Sequence, residues 1–378
     1  MFTESSPPAI FIGGPSDRDR KNLIEKITTR PNFTRISSPM FKYGGDYPRV
    51  AADVEALATA GKVAVVEAHP DSFSKLAAHS DNAFCVALLS DEGKGVGKSS
   101  PEGNTDYADV SQLTDKAHLV LYRSNCETVE EIAYAVCKGF EVHRASSAYP
   151  DCRRIDRENR VGYTAIAEEF IDELRLTTAD FHNASAPYLG NILKDIPESR
   201  RLIEVGAGRG WLRETVGMGK ADYSCQETSP GMLEYLPKGT IANPIRALPM
   251  KHGTYDFVVG SLVDGMAYPL GVFCLSQLLV RSGQIVVSWP SAVWSTGRRR
   301  TQKTHFISAN GDKVQGIHSF TPNQSQTEEL FQTAGLKLTE FLQCPPTPPV
   351  GRSYSNDTLL ADGSLPESLV SIAVGVRL

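Results

Sequence analysis

The sequence lacks the cysteine patterns that mark a disulfide framework or a structural zinc site. Its 7 cysteines are scattered over 378 residues, and none falls into a Cys-x-x-Cys or a Cys/His spacing. Small domains held together by disulfides or zinc place their cysteines in such spacings. We therefore expect free thiols, no metal site and a reducing compartment, the cytoplasm.

An excess of positive charge is also missing. The chain has 39 Lys and Arg against 44 Asp and Glu, for a net charge of −5. A protein that wraps duplex DNA neutralises phosphates with many basic side chains. The composition disfavours a broad nucleic-acid surface and leaves only local basic patches open.

Long apolar runs are absent as well. The N-terminus, MFTESSPPAIFIGG, has neither the basic start nor the apolar run of a secretory signal. The most apolar stretch, 259–280, contains Asp264, Pro269 and several glycines, whereas a membrane span needs about 20 continuous apolar residues. We expect a buried strand, a loop and a buried helix there, in a soluble chain without a membrane segment.

The chain divides into two α/β blocks. Short β-branched runs such as KVAVVEA (62–68) and AFCVALLS (83–90) alternate with amphipathic helical patterns in the first block, which predicts a parallel sheet. The second block opens with helical patterns and then alternates strands and helices to the C-terminus. A charged segment without periodicity separates the blocks. The predicted organisation is a first domain at 1–145, a linker at 146–160 and a second domain at 161–378.

The sequence RLIEVGAGRGWL, residues 201–212, carries the strongest chemical signal. A buried strand leads into Gly206, Gly208 and Gly210, after which WLRETVG begins a helix. Glycines at this spacing let the backbone turn sharply and bring amide groups close to a ligand. Many glycine turns are plain strand–helix connections, so the turn alone is a weak indicator.

An acidic residue stands at the matching distance. The strand ADYSCQE ends about twenty residues later in Glu227, followed by TSPGML. An acidic side chain at the tip of the second strand can accept hydrogen bonds from both hydroxyls of a ribose. The two features together predict a nucleotide-type ligand across the carboxyl ends of the strands.

These segments resemble class I S-adenosylmethionine-dependent methyltransferases. LIEVGAGRGWL looks like that family's first motif, and Glu227 with the following TSPGML looks like its acidic strand end and turn. ALPMKHGTYDFVVGS (247–261), SGQIVVSWPS (282–291) and SFTPNQSQTEELFQTAGLKLTEF (319–341) are similar to later segments, in the expected order. The resemblance covers roughly residues 160–378 and implies a Rossmann-like, seven-stranded methyltransferase sheet.

A dinucleotide-dependent dehydrogenase is the main alternative, because it also uses a glycine turn and an acidic strand end. Three features favour the methyltransferase. The turn reads GxGxG rather than GxGxxG, helical segments precede the glycine strand, and the chain ends in two segments that fit an antiparallel pair, LKLTEFL and SLVSIAVGVRL.

The resemblance implies roles for particular residues. Glu204 would accept from the methionine ammonium group of S-adenosylmethionine, Glu227 would hold the ribose, Met232 would pack near the adenine, and Ser261 would lie beside the sulfonium. Where the family often has an acid for the adenine, this chain has Arg246, which leaves the backbone of Ala247. The implied cofactor-binding set is Glu204, Gly206, Ala207, Gly208, Gly210, Glu227, Thr228, Met232, Ala247, Leu248 and Ser261.

The acceptor site is less defined. GSLVDGM stands where enzymes that methylate exocyclic amino groups of DNA bases have an Asn/Asp-Pro-Pro-Tyr sequence. The weak candidates for facing the acceptor, each of which also fits an ordinary loop or core position, are Asp264, Tyr268, His305 and His318. A basic cluster, Arg298, Arg299 and Arg300, fits a clamp for an anionic acceptor or a solvated loop.

The first block weakly resembles guanylate-kinase-like P-loop domains through FIGGPSDRDRKNLIEKI. A working phosphate loop needs glycines and a Lys before Ser or Thr. Asp17 and Asp19 stand where two glycines are expected, and Arg20-Lys21-Asn22 replaces Lys-Ser/Thr. The resemblance implies a degenerate, non-catalytic P-loop-kinase-like α/β domain that serves as a scaffold, a dimerisation surface or an acceptor-recognition module.

The leading hypothesis is an S-adenosylmethionine-dependent methyltransferase that acts on the oxygen or nitrogen of a small molecule. The alternatives are an RNA methyltransferase and a regulatory protein that binds the cofactor without transferring a methyl group. The expected partners are a small-molecule acceptor first, nucleic acid second, and a second copy of the chain through the first domain.

Overall fold

The computed structural model describes residues 9–14, 16–36, 47–68, 73, 83–89, 113–167, 178–216, 222–298, 303–307, 313–349, 351, 353–356 and 358–378. The chain forms two compact units. The first contains Met1–Ser147 together with Arg246–Lys251, and the second contains Ala148–Ile245 and His252–Leu378.

The first unit is built on a parallel sheet. Its strands are β1 (Ala9–Gly13), β2 (Phe33–Ile36), β3 (Val63–Glu67), β4 (Ala83–Leu89) and β5 (Leu119–Tyr122), in the order β2-β3-β1-β4-β5. Every described pairing in this sheet is parallel. Its described helices are Asp17–Thr28, Tyr47–Thr59 and Val129–Ala145, with a short 3-10 turn at Arg123–Asn125. β1 and β4 are buried along their whole length, as expected for strands covered on both faces.

A short segment from far along the sequence completes the first unit. Arg246 is buried and donates to the backbone carbonyls of Thr114 (2.8 Å) and Ala117 (2.6 Å). Ala247 is fully buried in the hydrophobic core of this unit, and the Asn125 side chain donates to the carbonyl of Leu248 (3.2 Å). Residues Arg246–Lys251 are therefore a structural part of the first unit.

The second unit contains a mixed six-stranded sheet. Its strands are β6 (Arg201–Val205), β7 (Asp222–Gln226), β8 (Tyr255–Gly260), β9 (Leu279–Pro290), β12 (Leu336–Cys344) and β13 (Val370–Arg377), in the order β12-β13-β9-β8-β6-β7. A separate hairpin pairs β10 (Lys303–Ile307) with β11 (Lys313–His318). The helices are Cys152–Ala165, Thr178–Leu193, Trp211–Val216, Pro230–Leu233, Pro269–Leu278, Ala292–Arg298 and Gln324–Thr333.

The predicted chain direction of this sheet is confirmed, but the described residues form six strands in it rather than the seven predicted. β7, β6, β8 and β9 run parallel, and β13 runs antiparallel to both β9 and β12. Where a seventh strand would follow β7, the described chain forms a single parallel bridge, between Gln226 and Ile241. Pro237 and Pro244 flank Ile241 in the sequence, and proline cannot donate to a strand ladder.

The segment predicted as a linker is largely helical. The helix Cys152–Ala165 begins at Asp151, whose side chain accepts from the amide of Arg153 (2.8 Å). Its buried residues, Cys152, Ile155 and Gly162, recur at spacings of three and seven, so they share one face. Because charged residues occupy the other faces of the helix, the sequence of this segment shows no clear apolar periodicity.

The apolar stretch at 259–280 has the predicted form. β8 ends at Gly260, and all ten residues of the helix Pro269–Leu278 are buried. In the part of the chain that the structure describes, no helix has the length and apolar character needed to cross a membrane. All seven cysteines lie in the described residues, where they are buried and form no disulfide.

Candidate functional site

The glycine motif forms a left-handed turn at the carboxyl end of β6. Gly206, Gly208 and Gly210 have φ values of 59°, 55° and 83°, a region that side chains other than glycine rarely adopt. A side chain on Gly206 would press on Val263, at 3.1 Å, whereas a side chain on Gly208 would meet none of the described residues within 4 Å. The turn is therefore packed against Val263 at Gly206 and has space beside it at Gly208.

The end of the neighbouring strand β7 fixes this turn. The Gln226 side-chain oxygen accepts from the amide of Gly206 (3.1 Å), and its nitrogen donates to the carbonyl of Asn243 (2.8 Å). The Gln226 carbonyl accepts from the amide of Ala207 (3.0 Å). Gln226 is fully buried, so both ends of its amide are used to set the position of the turn. Sequence reasoning missed this residue, although a polar side chain at the end of a buried strand is a usable signal.

Glu227 is the next residue and also binds the turn. Its Oε2 accepts from the amide of Gly208 (2.9 Å), and its Oε1 accepts from the amides of Thr228 (2.7 Å) and Ser229 (2.8 Å). Burial raises the pKa of the Glu227 carboxyl, and the three backbone amides partly oppose that shift. A carboxylate oxygen accepts about two hydrogen bonds, which leaves Oε2 one position for a ligand.

The segment after Glu227 begins a short helix. The Ser229 hydroxyl accepts from the amide of Met232 (3.3 Å) and lies 3.1 Å from the hydroxyl of Thr164. Met232 is buried. A side chain on Gly231 would press on the backbone of Thr164. The helix Cys152–Ala165 therefore supports this side of the site.

Glu204, on β6, is a second buried carboxylate. It is 2% exposed and accepts a hydrogen bond from the hydroxyl of Tyr223. Burial raises the pKa of Glu204 to about 7, and the negative charge of Glu227 adds to the rise, whereas the Tyr223 hydroxyl and the positive charge of Arg213 oppose it. The Arg213 guanidinium lies 5.0 Å from the centre of the Tyr223 ring. A cation that binds at Glu204 would favour its ionised form.

Ser261 follows β8, the strand on the other side of β6. Its hydroxyl oxygen is buried and has no hydrogen-bond partner among the described residues. The next residue, Leu262, has a φ of 54°, and its amide donates to the hydroxyl of Ser288 (2.9 Å). The amide of Val263 donates to the carbonyl of Ser288 (2.9 Å). Ser288 thus holds a strained turn whose first residue presents an unsatisfied hydroxyl.

His182 was missed by sequence reasoning. It lies on the helix Thr178–Leu193, and its ring packs on Trp211, the residue after Gly210, with ring centres 4.2 Å apart. Burial lowers the pKa of His182 to about 4, and its Nδ1 is buried without a hydrogen-bond partner in the described chain. No sequence motif marks this histidine, because only the folded helix brings it to the glycine turn.

Two of the acceptor candidates lie near the same end of the sheet. Asp264 begins the 3-10 turn Asp264–Met266 and is buried. A side chain on Gly206 would lie 3.4 Å from the end of Met266, which connects this turn to the glycine motif. Tyr268 is buried and packs on Phe320, with ring centres 5.8 Å apart.

Apart from His318, the other predicted residues are not brought into this group by the described contacts. His305 lies on β10. Arg298 is an exposed residue at the end of its helix, and Arg299 and Arg300 lie outside the described residues. Ala247 and Leu248 are buried in the first unit. In the ranges that the structure describes, no group of three or more His, Cys, Asp or Glu is placed to hold a metal ion.

The chain was compared with known proteins. No protein-family model and no curated protein matches it. Solved structures similar to it include an S-adenosylmethionine-dependent methyltransferase from Mesorhizobium loti, with 16% identity, a TM-score of 0.38 and coverage of 51% of this chain and 98% of that one. Similar enzymes from Clostridium acetobutylicum (10% identity, TM-score 0.37, 52% and 92% coverage) and Aquifex aeolicus (10%, 0.33, 50% and 89%) also match. At these identities and TM-scores the function rests on the site's own residues.

Proposed function

We propose that the second unit is an S-adenosylmethionine-dependent methyltransferase. The observation that carries this proposal is the open left-handed turn at Gly208, held between the ends of two parallel strands by Gln226 and Glu227. Ligands of open α/β sheets bind outside the carboxyl ends of the strands, where the chain connections diverge. The connection from β6 leads to β7 on one side, and that from β8 leads to β9 on the other.

The residues around this crevice suit the chemical groups of S-adenosylmethionine. The remaining acceptor position on Glu227 Oε2 fits a ribose hydroxyl. Glu204, whose pKa is about 7, fits the ammonium group, because the positive charge of that group would stabilise the carboxylate. The unsatisfied hydroxyl of Ser261 offers a polar contact at the adjoining strand, since a buried polar group without a partner costs about 1–3 kcal/mol until one binds.

The cofactor would supply a methyl carbon activated by a sulfonium. The chain then needs to orient that carbon towards the acceptor and to exclude water, because such a displacement gains much of its rate from positioning. Gln226 and Glu227 fix the turn, and Ser288 fixes the strained residue after Ser261. Contacts of this kind within the chain hold a site in position, and such preorganisation lowers the cost of binding.

We also propose that the first unit is a non-catalytic, degenerate P-loop-like domain. Gly14 follows β1 with a φ of 151°, and the guanidinium of the buried Arg20 donates to its carbonyl. The Ser16 hydroxyl accepts from the amide of Asp19 (3.2 Å), so it satisfies an amide that a phosphate loop would offer to its ligand. Carrying Ala247 and Leu248 in its core, this unit serves as a scaffold, and it is the candidate surface for self-association.

We further propose a cytoplasmic protein with a small-molecule acceptor. The net charge of −5 gives no broad surface for nucleic acid, although an RNA acceptor is the next choice. Cell extract incubated with the protein and isotope-labelled S-adenosylmethionine tests this ranking. Label in the small-molecule fraction supports it, and label in RNA replaces it. Cofactor binding without labelled product favours the regulatory alternative.

Changing Glu227 to Ala tests the cofactor site. The variant loses the carboxylate that fixes Gly208 and faces the ribose, so we expect S-adenosylmethionine to bind more weakly by about 1–3 kcal/mol, or roughly 5- to 150-fold in Kd. Isothermal titration calorimetry measures the change, with S-adenosylhomocysteine as a second ligand.

Glu234→Ala is the matched control. Glu234 is an exposed carboxylate at the C-terminal end of the short helix Pro230–Leu233, and its loss is expected to leave Kd unchanged. Equal affinities for wild type and Glu227→Ala would remove Glu227 from the site. If wild type binds neither compound below about millimolar, a free energy of roughly −4 kcal/mol, the methyltransferase proposal fails.

A further inference from the structure

A histidine–carboxylate pair lies beside the candidate site. His318 ends β11, and its Nε2 lies 2.8 Å from Oε2 of Glu158 on the helix Cys152–Ala165. Asn159 holds the His318 backbone from both sides, accepting from its amide (2.7 Å) and donating to its carbonyl (3.2 Å). The imidazole is 1% exposed. The ring is therefore fixed in position by its backbone and by its carboxylate partner.

The charge of Glu158 fixes the tautomer of His318. Lys303 donates to the same oxygen (2.7 Å), and Arg154 donates to the other oxygen (2.7 Å). Burial works to raise the pKa of Glu158, but the hydrogen bonds from Lys303, Arg154 and His318 lower it to about 2. An ionised carboxylate can only accept hydrogen bonds. The proton of a neutral His318 consequently resides on Nε2, which leaves a lone pair on Nδ1.

That lone pair is unused. Nδ1 of His318 is buried and has no hydrogen-bond partner in the described part of the chain. In the second unit, only His182 Nδ1 and Ser261 Oγ share this condition among the described side-chain atoms. Burying an unsatisfied polar atom costs about 1–3 kcal/mol, so each such atom in a native structure invites a functional explanation.

The backbone of His318 lies next to the turn that borders the glycine motif. A side chain on Gly265 would lie 3.3 Å from the His318 carbonyl, and the next residue, Met266, borders Gly206. The His318 ring stacks on Phe320, with ring centres 6.1 Å apart. Phe320 also contacts the rings of Tyr149 (5.2 Å) and Tyr268 (5.8 Å). The His318 ring thus adjoins an aromatic cluster, in which Phe320 contacts the histidine and the two tyrosines contact Phe320.

We propose that His318 is the general base of this enzyme, that Glu158 is its positioning residue, and that the acceptor is an aromatic hydroxyl compound. The proposal rests on the methyltransferase function. Aromatic side chains favour a planar ring as the acceptor, since offset and edge-to-face ring contacts are stabilising. A phenol needs only modest help to lose its proton, because its pKa of about 10 is not far above neutral.

In the proposed reaction, the methyl group moves to the acceptor oxygen and the hydroxyl proton moves to His318. The acceptor oxygen forms a bond to the methyl carbon while the carbon–sulfur bond breaks, with its electron pair left on sulfur. The hydroxyl proton passes to Nδ1 of His318, and the negative charge of Glu158 stabilises the imidazolium that results. The proton then leaves to solvent as the products depart.

Burial and the charged groups around the His318 imidazole together favour its neutral form at pH 7. Burial lowers the pKa of His318 below its usual 6.5, Glu158 opposes that shift, and Lys303 and Arg154 add to it. Because a base must be unprotonated, the wild-type rate is expected to persist below pH 6.5 and to fall only as pH passes through the lowered pKa.

The test compares His318→Gln with wild type on two acceptors, phenol and 4-nitrophenol, at about pH 8.5, where phenol with a pKa of about 10 keeps its proton and 4-nitrophenol is mostly ionised. With phenol, we expect His318→Gln to lower kcat/KM about 100-fold or more, the usual range for a lost general base. With 4-nitrophenolate, which needs no base, the loss is expected to stay within about 3-fold. Glu158→Gln is expected to follow the same pattern with a smaller loss.

Each outcome has a distinct meaning. Calorimetry on every variant reports S-adenosylmethionine binding, so failure of wild type to bind refutes the proposed function itself. Equal losses with both acceptors would show a structural role for His318 and overturn the proposal. A protein that binds the cofactor and methylates neither probe would refute the aromatic hydroxyl acceptor. An unchanged acid limb of the pH–rate profile in His318→Gln would also refute the base.

Discussion

The two units place a glycine turn at the same position in their sheets and use it in opposite ways. In the first unit, β1 pairs with β4, and the connections that follow them lead to opposite sides of the sheet. In the second unit, β6 and β8 have the same relation. Both turns therefore lie at the point where a ligand crevice is expected in an open α/β sheet.

Protein atoms close the crevice in the first unit. A side chain on Gly13 would overlap the ring of Phe73, and one on Gly14 would overlap the carbonyl oxygen of Leu88 on β4. Arg20 covers the turn by donating to the carbonyl of Gly14, and its guanidinium lies 3.5 Å from the carboxylate of Glu67. Here glycine permits close packing of the backbone.

The turn in the second unit has open space at Gly208 and polar side chains around it. Gln226 and Glu227 bind its amides, and Ser261 presents an unsatisfied hydroxyl. A glycine turn after a buried strand is thus insufficient evidence of a ligand site. The polar residues at the ends of the two flanking strands make the distinction.

The largest expected effect comes from adding a methyl group to the closed turn. Gly14→Ala places a Cβ against the Leu88 carbonyl at a φ of 151°. Overpacking and backbone strain each cost about 1–3 kcal/mol, so we expect the first unit to lose about 3 kcal/mol or more. Urea unfolding followed by circular dichroism measures this loss.

Gly61→Ala in the same unit is the control. Gly61 has a φ of 70° but nothing within 4 Å of an added Cβ, so only the left-handed backbone penalty of about 1 kcal/mol applies. If the two variants lose the same stability, the crevice at Gly14 is not tightly closed and the contrast between the turns disappears.

Much of the fold was readable from local pattern. The alternation of β-branched runs with helices predicted the parallel sheet of the first unit, and two C-terminal segments predicted the antiparallel pair, β12 and β13, that ends the mixed sheet of the second unit. The segment 146–160 was misread because Cys152, Ile155 and Gly162 form a stripe too narrow to stand out among charges. The segment Arg246–Lys251 was assigned to the wrong unit, because its burial in the first unit depends on contacts with Thr114, Ala117 and Asn125.

The site was predictable only where residues are close in sequence. The glycines and Glu227 form a compact motif with a fixed spacing, so they were found. His318 was named from the sequence as one of four acceptor candidates, but its partner Glu158 comes from a distant segment, as does His182, and Gln226 acts through its register on β7. Such partnerships become visible only when the fold brings the residues together.

The next largest expected effect is a pH dependence of folding stability that the buried Glu204 causes. Its pKa of about 7 in the folded state lies above its ordinary 4.5, so the folded protein holds this proton more tightly than the unfolded chain. The stabilising contribution is complete below about pH 4.5 and is lost as pH rises through 7. One pKa unit is 1.36 kcal/mol, so the loss is on the order of 3 kcal/mol.

Glu204→Gln removes this dependence. Urea unfolding of both proteins at about pH 5 and pH 8 should show a smaller loss of stability in the variant than in wild type, because glutamine does not titrate. Parallel pH dependences would show that Glu204 is already ionised near its ordinary pKa. In that case the surroundings of Glu204 are more solvated than its burial indicates. The second turn would then differ less from the first as a ligand site.

The smallest effect, no measurable change, is expected for nucleotide hydrolysis by the first unit. We expect the full chain with magnesium and ATP or GTP to release no phosphate above background. A phosphate loop works by pointing backbone amides at the anion. Here Ser16 already accepts from the amide of Asp19, and the covering cation, Arg20, is held by the Gly14 carbonyl and by Glu67. In the proposed degenerate P-loop, Asn22 would replace the Ser or Thr that holds the metal in a working loop. Lys21→Ala, which changes an exposed side chain, should match wild type in the same assay. Magnesium-dependent turnover that disappears in Lys21→Ala would make both turns ligand sites and the protein a bifunctional enzyme.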